Sequence, residues 1–199
     1  GGGSSLELEY PRSNHRTAPA WAASDETGKS GWVTIEHTGV LDNGQATADS
    51  LQLFLLGEGE CLVDEVEVIP AGGNNLIANS DFQNGTEGWV FQGTHERSSW
   101  ESGQGFASPG CLHVRASARG DTGANRIRTP LGRVMNAGET ATIRARVRWL
   151  AGHPEILLRL RGSYLEATGD ILTSRNLGTP GLRNSRAAAE HLVGKLEDD

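Results

Sequence analysis

The chain is predicted to fold as an all-β sandwich, a jelly roll of two antiparallel sheets, and three observations carry that prediction. Apolar and polar residues alternate over about ten short stretches, the pattern of half-buried strands. Those stretches are separated by Gly, Pro and Asn-Gly signals, and 27 glycines supply the tight turns that short strands need. At 199 residues the chain suits one such domain with short appendages, and is long enough to bury a proper core.

Taken in order, Leu6 and Leu8 alternate with Glu7 and Glu9 as a short strand. Pro11 stops it, and a polar, irregular segment follows to Gly31. Residues 32–38 (WVTIEHT) set Trp32, Thr34 and Glu36 on one face and Val33, Ile35 and His37 on the other. A loop with the Asp42-Asn43-Gly44 signal leads to strands at 51–56 and 61–69, split by Gly57 and Gly59. In the second of these, Val66 and Val68 oppose Glu65 and Glu67. Pro70 and the Gly72-Gly73-Asn74 spacer close that run. Short strands at 76–78 and 89–92 flank the Asn84-Gly85 turn. Residues 98–110 (SSWESGQGFASPG) read as a Gly/Ser/Pro loop carrying Trp100 and Phe106. Strands follow at 112–116, 125–129, 140–150 and 155–161, the last two joined by Gly152-His153-Pro154, and residues 164–168 and 171–174 form a last hairpin. Ser185 caps a short C-terminal helix with Leu192, Val193 and Leu196 on one side.

Composition narrows the function classes. A net charge of -7 argues against a nucleic-acid binder, and no apolar run approaches the ~20 residues of a membrane span. Lys29 and Lys195 are the only lysines; every other basic residue besides histidine is arginine, whose planar fork suits paired or ligand-facing roles. With no initiator Met and no signal peptide, the expectation is a fragment or mature chain. Cys61 and Cys111 each precede an apolar strand, and are either a disulfide between distant strands or two small buried hydrophobes.

Residues 51–89 read as an ending followed by a beginning. The segment NLIANSDFQNGTEGW (75–89) resembles the opening of carbohydrate-binding modules of the galactose-binding-like jelly-roll class, and CLVDEVEVI (61–69) resembles their close. Here the closing signature comes first, which implies one sandwich in circularly permuted order. Residues 32–174 then form a single unit, with closing strands in 32–69 and opening strands in 75–174. The alternative of two truncated modules would leave unpaired sheet edges in each. GGSSLEL with Trp21-Ala22, and later Gly178-Thr179-Pro180-Gly181-Leu182-Arg183-Asn184, resemble the last part of bacterial lamin-tail-like domains. The resemblance makes 1–31 a flank and linker, makes 175–199 an end and tail, and implies a sandwich inserted near the end of such a domain.

Candidate ligand residues follow. Trp100 and Phe106 lie in a Gly/Ser loop with little adjacent core, so either they stack on sugar rings or they plug the end of the sandwich. Tyr164 is a third aromatic candidate. Trp89 and Trp32 sit where such modules place core aromatics, and Trp149 shares a face with Ile143, Ala145 and Val147. Opposite it stand Arg144, Arg146 and Arg148; Arg159 and Arg161, Arg126 and Arg128, and His113 and Arg115 repeat the same period on other strands. If those strands share a sheet, the face is a guanidinium field. It serves either as a groove for polyhydroxyl or anionic glycans or as a salt-bridged surface paired with Glu36, Glu65, Glu67 and Glu155. The family resemblance further implies a structural Ca²⁺ with Asp64 as ligand and Gln83 where the family often has Glu, and Asp81 or Asp121 as substitutes. Losing that carboxylate weakens the expected site.

Arg119-Gly120-Asp121 and the acceptor pattern Asn84-Gly85-Thr86 are short matches of low specificity. There is no H-E-x-x-H, P-loop, G-x-S-x-G or C-x-x-C, and the six histidines show no metal-ligand spacing. The resemblance therefore implies a non-catalytic, extracellular or cell-surface module that binds polysaccharide and adjoins other domains, with no cofactor required beyond the calcium. A structural or docking domain without a glycan is the alternative, and a polysaccharide hydrolase or lyase the third reading.

Overall fold

The computed structural model describes residues 6–8, 21–23, 30–45, 47–120, 124–162 and 165–171. In chain order the strands are β1 (Leu6–Leu8), β2 (Trp21–Ala23), β3 (Val33–Val40), β4 (Ala48–Leu55), β5 (Gly59–Pro70), β6 (Val90–Phe91), β7 (Ser99–Ser102), β8 (Gly110–Ala116), β9 (Ile127–Met135), β10 (Thr140–Gly152), β11 (Glu155–Leu160) and β12 (Glu166–Asp170). β1 pairs with β2, and the rest form two antiparallel five-stranded sheets ordered β3-β10-β5-β8-β7 and β12-β11-β4-β9-β6. Both sheets mix strands drawn from residues 33–70 with strands drawn from 90–170.

The inner faces follow the period-two pattern. β10 turns Ala141, Ile143, Ala145, Val147 and Trp149 inward, and β4 contributes Leu51, Leu53 and Leu55, all in one continuous core. Each fully buried Val, Leu or Ile side chain among these contributes roughly 1.5–3 kcal/mol by leaving water. Phe82 and Trp89 join the core with ring centroids 5.0 Å apart. The Trp89 indole N–H donates to Asn79 O at 3.0 Å, so its one polar atom is satisfied where it is buried.

A bulge on β5 keeps charge out of that core. Cys61 and Val63 face inward, as do Val66 and Val68, so the parity changes between them. The register against β10 shifts between Arg144 and Arg146, and Glu65 takes up the extra residue at φ 46°. Without it Glu65 would point between the sheets.

Two crossovers decide which strands share a sheet. β4 and β5 are consecutive but lie in different sheets, as are β10 and β11. Both chain reversals pack against one another: His153 N donates to Glu58 O at 2.8 Å, and Leu56 N to Glu155 O at 2.9 Å. A Cβ on Gly59 would stand 2.6 Å from His153 N and 2.7 Å from Ala151 O, so only glycine permits the approach.

Several expectations are corrected here. The strand expected at 76–78 does not form a ladder. Asn75 Oδ1 accepts from Val68 N and Ile77 N, both at 3.0 Å, so a side chain takes the place of a backbone partner. The strand expected at 125–129 runs through Pro130 to Met135, with the proline at an irregularity of the β4 pairing where its missing N–H is tolerated. Part of the expected loop at 98–110 is strand β7. Gly169 and Asp170, read as a turn, continue β12, which pairs with β11; residues 172–174 and the expected helix at 185–196 lie outside the described residues.

Of the two readings of the cysteines, the structure shows the buried hydrophobes and not the bridge. Cys61 and Cys111 are free and buried. Cys61 belongs to the core between the sheets, whereas Cys111 packs with Leu62 and Leu150 on the outer face of the first sheet. Side chains on opposite faces of a sheet cannot bridge without backbone movement.

Candidate functional site

The outer face of the first sheet holds the densest polar and aromatic arrangement. At its centre Asp64 is fully buried and stands opposite Arg146 in the β5–β10 ladder. Its Oδ2 accepts from Phe106 N at 2.7 Å and its Oδ1 from Glu65 N at 2.8 Å. Burial raises the Asp64 carboxyl above its ordinary pKa, while those two N–H bonds pull the other way. The chemical work of Asp64 is thus to pin the 103–109 loop across the sheet. Gln83 Nε2 adds a second tie, donating to Ser108 Oγ at 2.6 Å and to Asp81 O at 2.7 Å.

Pinned in this way, Phe106 stays 41% exposed. Its ring meets Trp32 edge-on at 5.8 Å between centroids, and the Arg146 guanidinium lies 4.6 Å from its centre. Trp32 itself rests on Leu62, Cys111 and Leu150. It is therefore outside the sandwich rather than between the sheets, as its parity with Thr34 and Glu36 required. That alternation was the signal by which sequence alone could have placed it. Burial pushes the Cys111 thiol beneath it up to about 12, aided by the charges of Asp64 and Glu101, and burial likewise raises Cys61, so neither is a reactive thiolate.

Trp100 is 44% exposed on the edge strand β7, and its indole N–H donates to Phe82 O at 2.8 Å. Across β8 it faces Leu112, a core residue, so it stands at the sandwich edge and not beside Phe106. The structure therefore presents these two aromatics as separate surfaces. Tyr164 and Asp121 lie outside the described residues.

The arginines do not form one field, because β10 and β11 belong to different sheets. On the first sheet, Arg144 Nε bonds Glu67 Oε2 at 2.6 Å and Arg144 also reaches Glu36. Arg146 Nε bonds Glu65 Oε2 at 3.3 Å and its Nη1 donates to Thr34 Oγ1. Arg148 Nε donates to Ser30 O at 3.0 Å. Half-exposed pairs of this kind contribute about 0.2–1 kcal/mol each. Arg159 and Arg161 lie with the second sheet, paired with Glu166 at 2.5 Å and Asp49 at 3.4 Å. Sequence reasoning placed His113 and Arg115 on one face but missed their partner on β5: His113 Nε2 is 2.7 Å from Glu60 Oε2, and its Nδ1 is 2.8 Å from Arg115 Nη2.

The residues assigned to calcium do not fit it as they stand. Both Asp64 oxygens face N–H donors, Gln83 presents its amide nitrogen to Asp81 O and Ser108, and Asp81 Oδ1 accepts from Gln83 N at 3.3 Å. Among the described residues no group of three or more His, Cys, Asp or Glu converges as a metal site. The expected result is a thermal midpoint that moves by less than about 1 °C on adding EDTA or millimolar Ca²⁺. A rise of several degrees with Ca²⁺ would overturn it, since a ligand that binds only the folded state must stabilise it.

Compared with known proteins, the chain matches no protein-family model, no curated protein and no solved structure. Among the described residues no helix is long and apolar enough to cross a membrane.

Proposed function

We infer that the chain is a non-catalytic carbohydrate-binding β-sandwich module of a larger secreted bacterial protein, holding its parent to polysaccharide outside the cell. The observation that carries this reading is Phe106. A large apolar ring is left exposed on a loop that a buried carboxylate, a glutamine and a tryptophan edge all hold in place. An exposed aromatic held rigid binds with little loss of side-chain freedom, and sugar rings offer C–H faces to such a platform. Trp100 supplies a second surface at the sheet edge. The reading keeps the permuted order and the insertion near the end of a lamin-tail-like domain. In its support, residues 75–80 lie directly along 66–68 through Leu76 N to Val68 O and Val66 N to Ser80 O, both 2.9 Å.

One observation favours a structural or docking domain as the second reading. Arg144 and Arg146 are already bonded to the protein's own glutamates, as a solvent-facing salt-bridged surface would have them. A hydrolase or lyase has less behind it. Both ring nitrogens of His113 have partners, and the Ser99 hydroxyl accepts from Arg115 Nη1 at 2.7 Å rather than facing a base.

Affinity electrophoresis against a panel of neutral and acidic polysaccharides tests the reading. The chain is expected to be retarded by at least one of them, and Phe106→Ala to weaken that binding on the order of tenfold or more. Trp100→Ala reports separately on the edge surface. Silence across the panel would favour the docking domain, and reducing ends released on incubation would favour the enzyme.

A further inference from the structure

We propose that the outer face of the second sheet carries an anion site, built by Arg126, Arg128 and Arg161, that takes a carboxylate or sulfate group. The register sets these arginines on one face, around a central row. Arg128 on β9 lies across from Gln52 on β4, which in turn lies across from Arg159 on β11. Arg126 lies two residues to one side of that row, towards Phe54, and Arg161 two residues to the other, where its N–H donates to Ser50 O at 2.9 Å, so the arginines share one face with Arg128 and Gln52 between them. Ile127, Leu158 and Leu160 between them face the core, which fixes the arginines on the outside.

The partners of these arginines are unevenly supplied. Arg159 has Glu166 at 2.5 Å and Arg161 has Asp49 at 3.4 Å. Arg126 Nε donates only to a neutral acceptor, Gln92 Oε1 at 3.2 Å. Arg128 Nε is buried with no hydrogen-bond partner, and among the described residues no carboxylate pairs with Arg126 or Arg128. The guanidinium groups also repel: burial first, then the charges of Arg128 and Arg161, lowers the Arg126 pKa.

Like charges gathered on one face destabilise it unless something answers them. On the first sheet that answer is internal, with Glu67 and Glu65 against Arg144 and Arg146. On the second sheet the acids stop short of Arg126 and Arg128. Guanidinium forks match the spacing of carboxylate and sulfate oxygens, and an oxyanion would supply both the missing acceptor and the missing charge. The net charge of -7 would repel a large polyanion at long range, so the site suits a single charged group rather than a densely charged polymer. The proposal stands apart from the glycan reading: it needs an anion, whatever molecule bears it.

The test uses the whole chain, with sodium sulfate or sodium glucuronate titrated against sodium chloride at constant ionic strength. The arginine Nε–Hε resonances are followed by NMR. Saturable shifts of Arg126 and Arg128 are expected, absent in Arg128→Gln and unchanged in Arg144→Gln on the opposite face. Arg161→Gln should weaken the half-saturation on the order of tenfold, the loss of one charge-assisted hydrogen bond. Its side chain is 56% exposed, so this variant carries the test even if Arg128→Gln folds poorly. Response to sulfate alone or to glucuronate alone identifies the group preferred. Shifts that grow linearly without saturating, or that persist unchanged in both variants, would overturn the site.

Discussion

Replacing Asp64 with Ala is expected to destabilise the fold by about 3 kcal/mol, through loss of two charge-assisted bonds and exposure of two buried N–H groups to an apolar void. The residue is fully buried, and its partners are the backbone of Glu65 and of Phe106. The first bond supports the bulge at which Glu65 adopts φ 46°, so the variant loses both a loop anchor and a backbone support. Asp64→Asn should fall in between. It keeps one acceptor oxygen but turns an NH₂ group towards an N–H donor. Urea denaturation measures the effect as a lower midpoint at unchanged slope. A change below about 0.5 kcal/mol in Asp64→Ala would show that the loop is held by other contacts. If Phe106 does hold polysaccharide, binding should weaken in the same variants although Asp64 offers the ligand no free atom.

The second large effect is acid destabilisation centred on His95. This side chain is fully buried beside β4, and its Nε2 accepts the Leu55 N–H at 3.0 Å. Accepting that bond requires the neutral ring, and burial lowers the pKa from 6.5 to about 4. Between those values the unfolded chain binds a proton that the folded chain does not. Stability contributed by the neutral ring is therefore complete above pH 6.5 and is lost as pH falls through about 4, to a total of about 3 kcal/mol. Asp64 acts in the opposite sense. Burial raises its pKa, so the folded state binds a proton before the unfolded chain does, and this favours folding as pH falls from the raised value towards 3.8. Urea midpoints at pH 7, 5.5 and 4.5 should decline in the wild type, whereas His95→Gln, uncharged at each pH, should flatten the slope. An equal decline in both proteins would assign the acid sensitivity to other groups. Gly120 is committed to the same arrangement, since a Cβ there would lie 2.2 Å from His95 Cε1.

Much of the sandwich is legible in the chain because a strand's faces alternate locally. Ile143, Ala145, Val147 and Trp149 declare a buried face, and Arg144, Arg146 and Arg148 an outer one, with no reference to any neighbour. The cross-strand pairing of Arg144 with Glu67 and of Arg146 with Glu65 also follows the charge alternation. Trp32 was equally readable, since it shares parity with Thr34 and Glu36. Family expectation pulled it inward against its own pattern.

Other features depended on contacts that no local pattern contains. Asp64 reads as a metal ligand by resemblance, but its partner is the amide of Phe106, forty-two positions away. His95, in a stretch with no periodic signal, proves to complete the end of β4.

By itself the sequence determined the strand class, the alternating faces, the negative charge and the supply of glycine turns, because each is set by neighbours within a few residues. Only the tertiary structure decided which strands share a sheet. Gly57–Gly59 and Gly152–Pro154 pass the chain from one layer to the other instead of closing hairpins, and that choice rests on the two reversals packing together across the fold. It sends Arg146 and Arg159 to opposite faces, turning one expected surface into two with different chemistry.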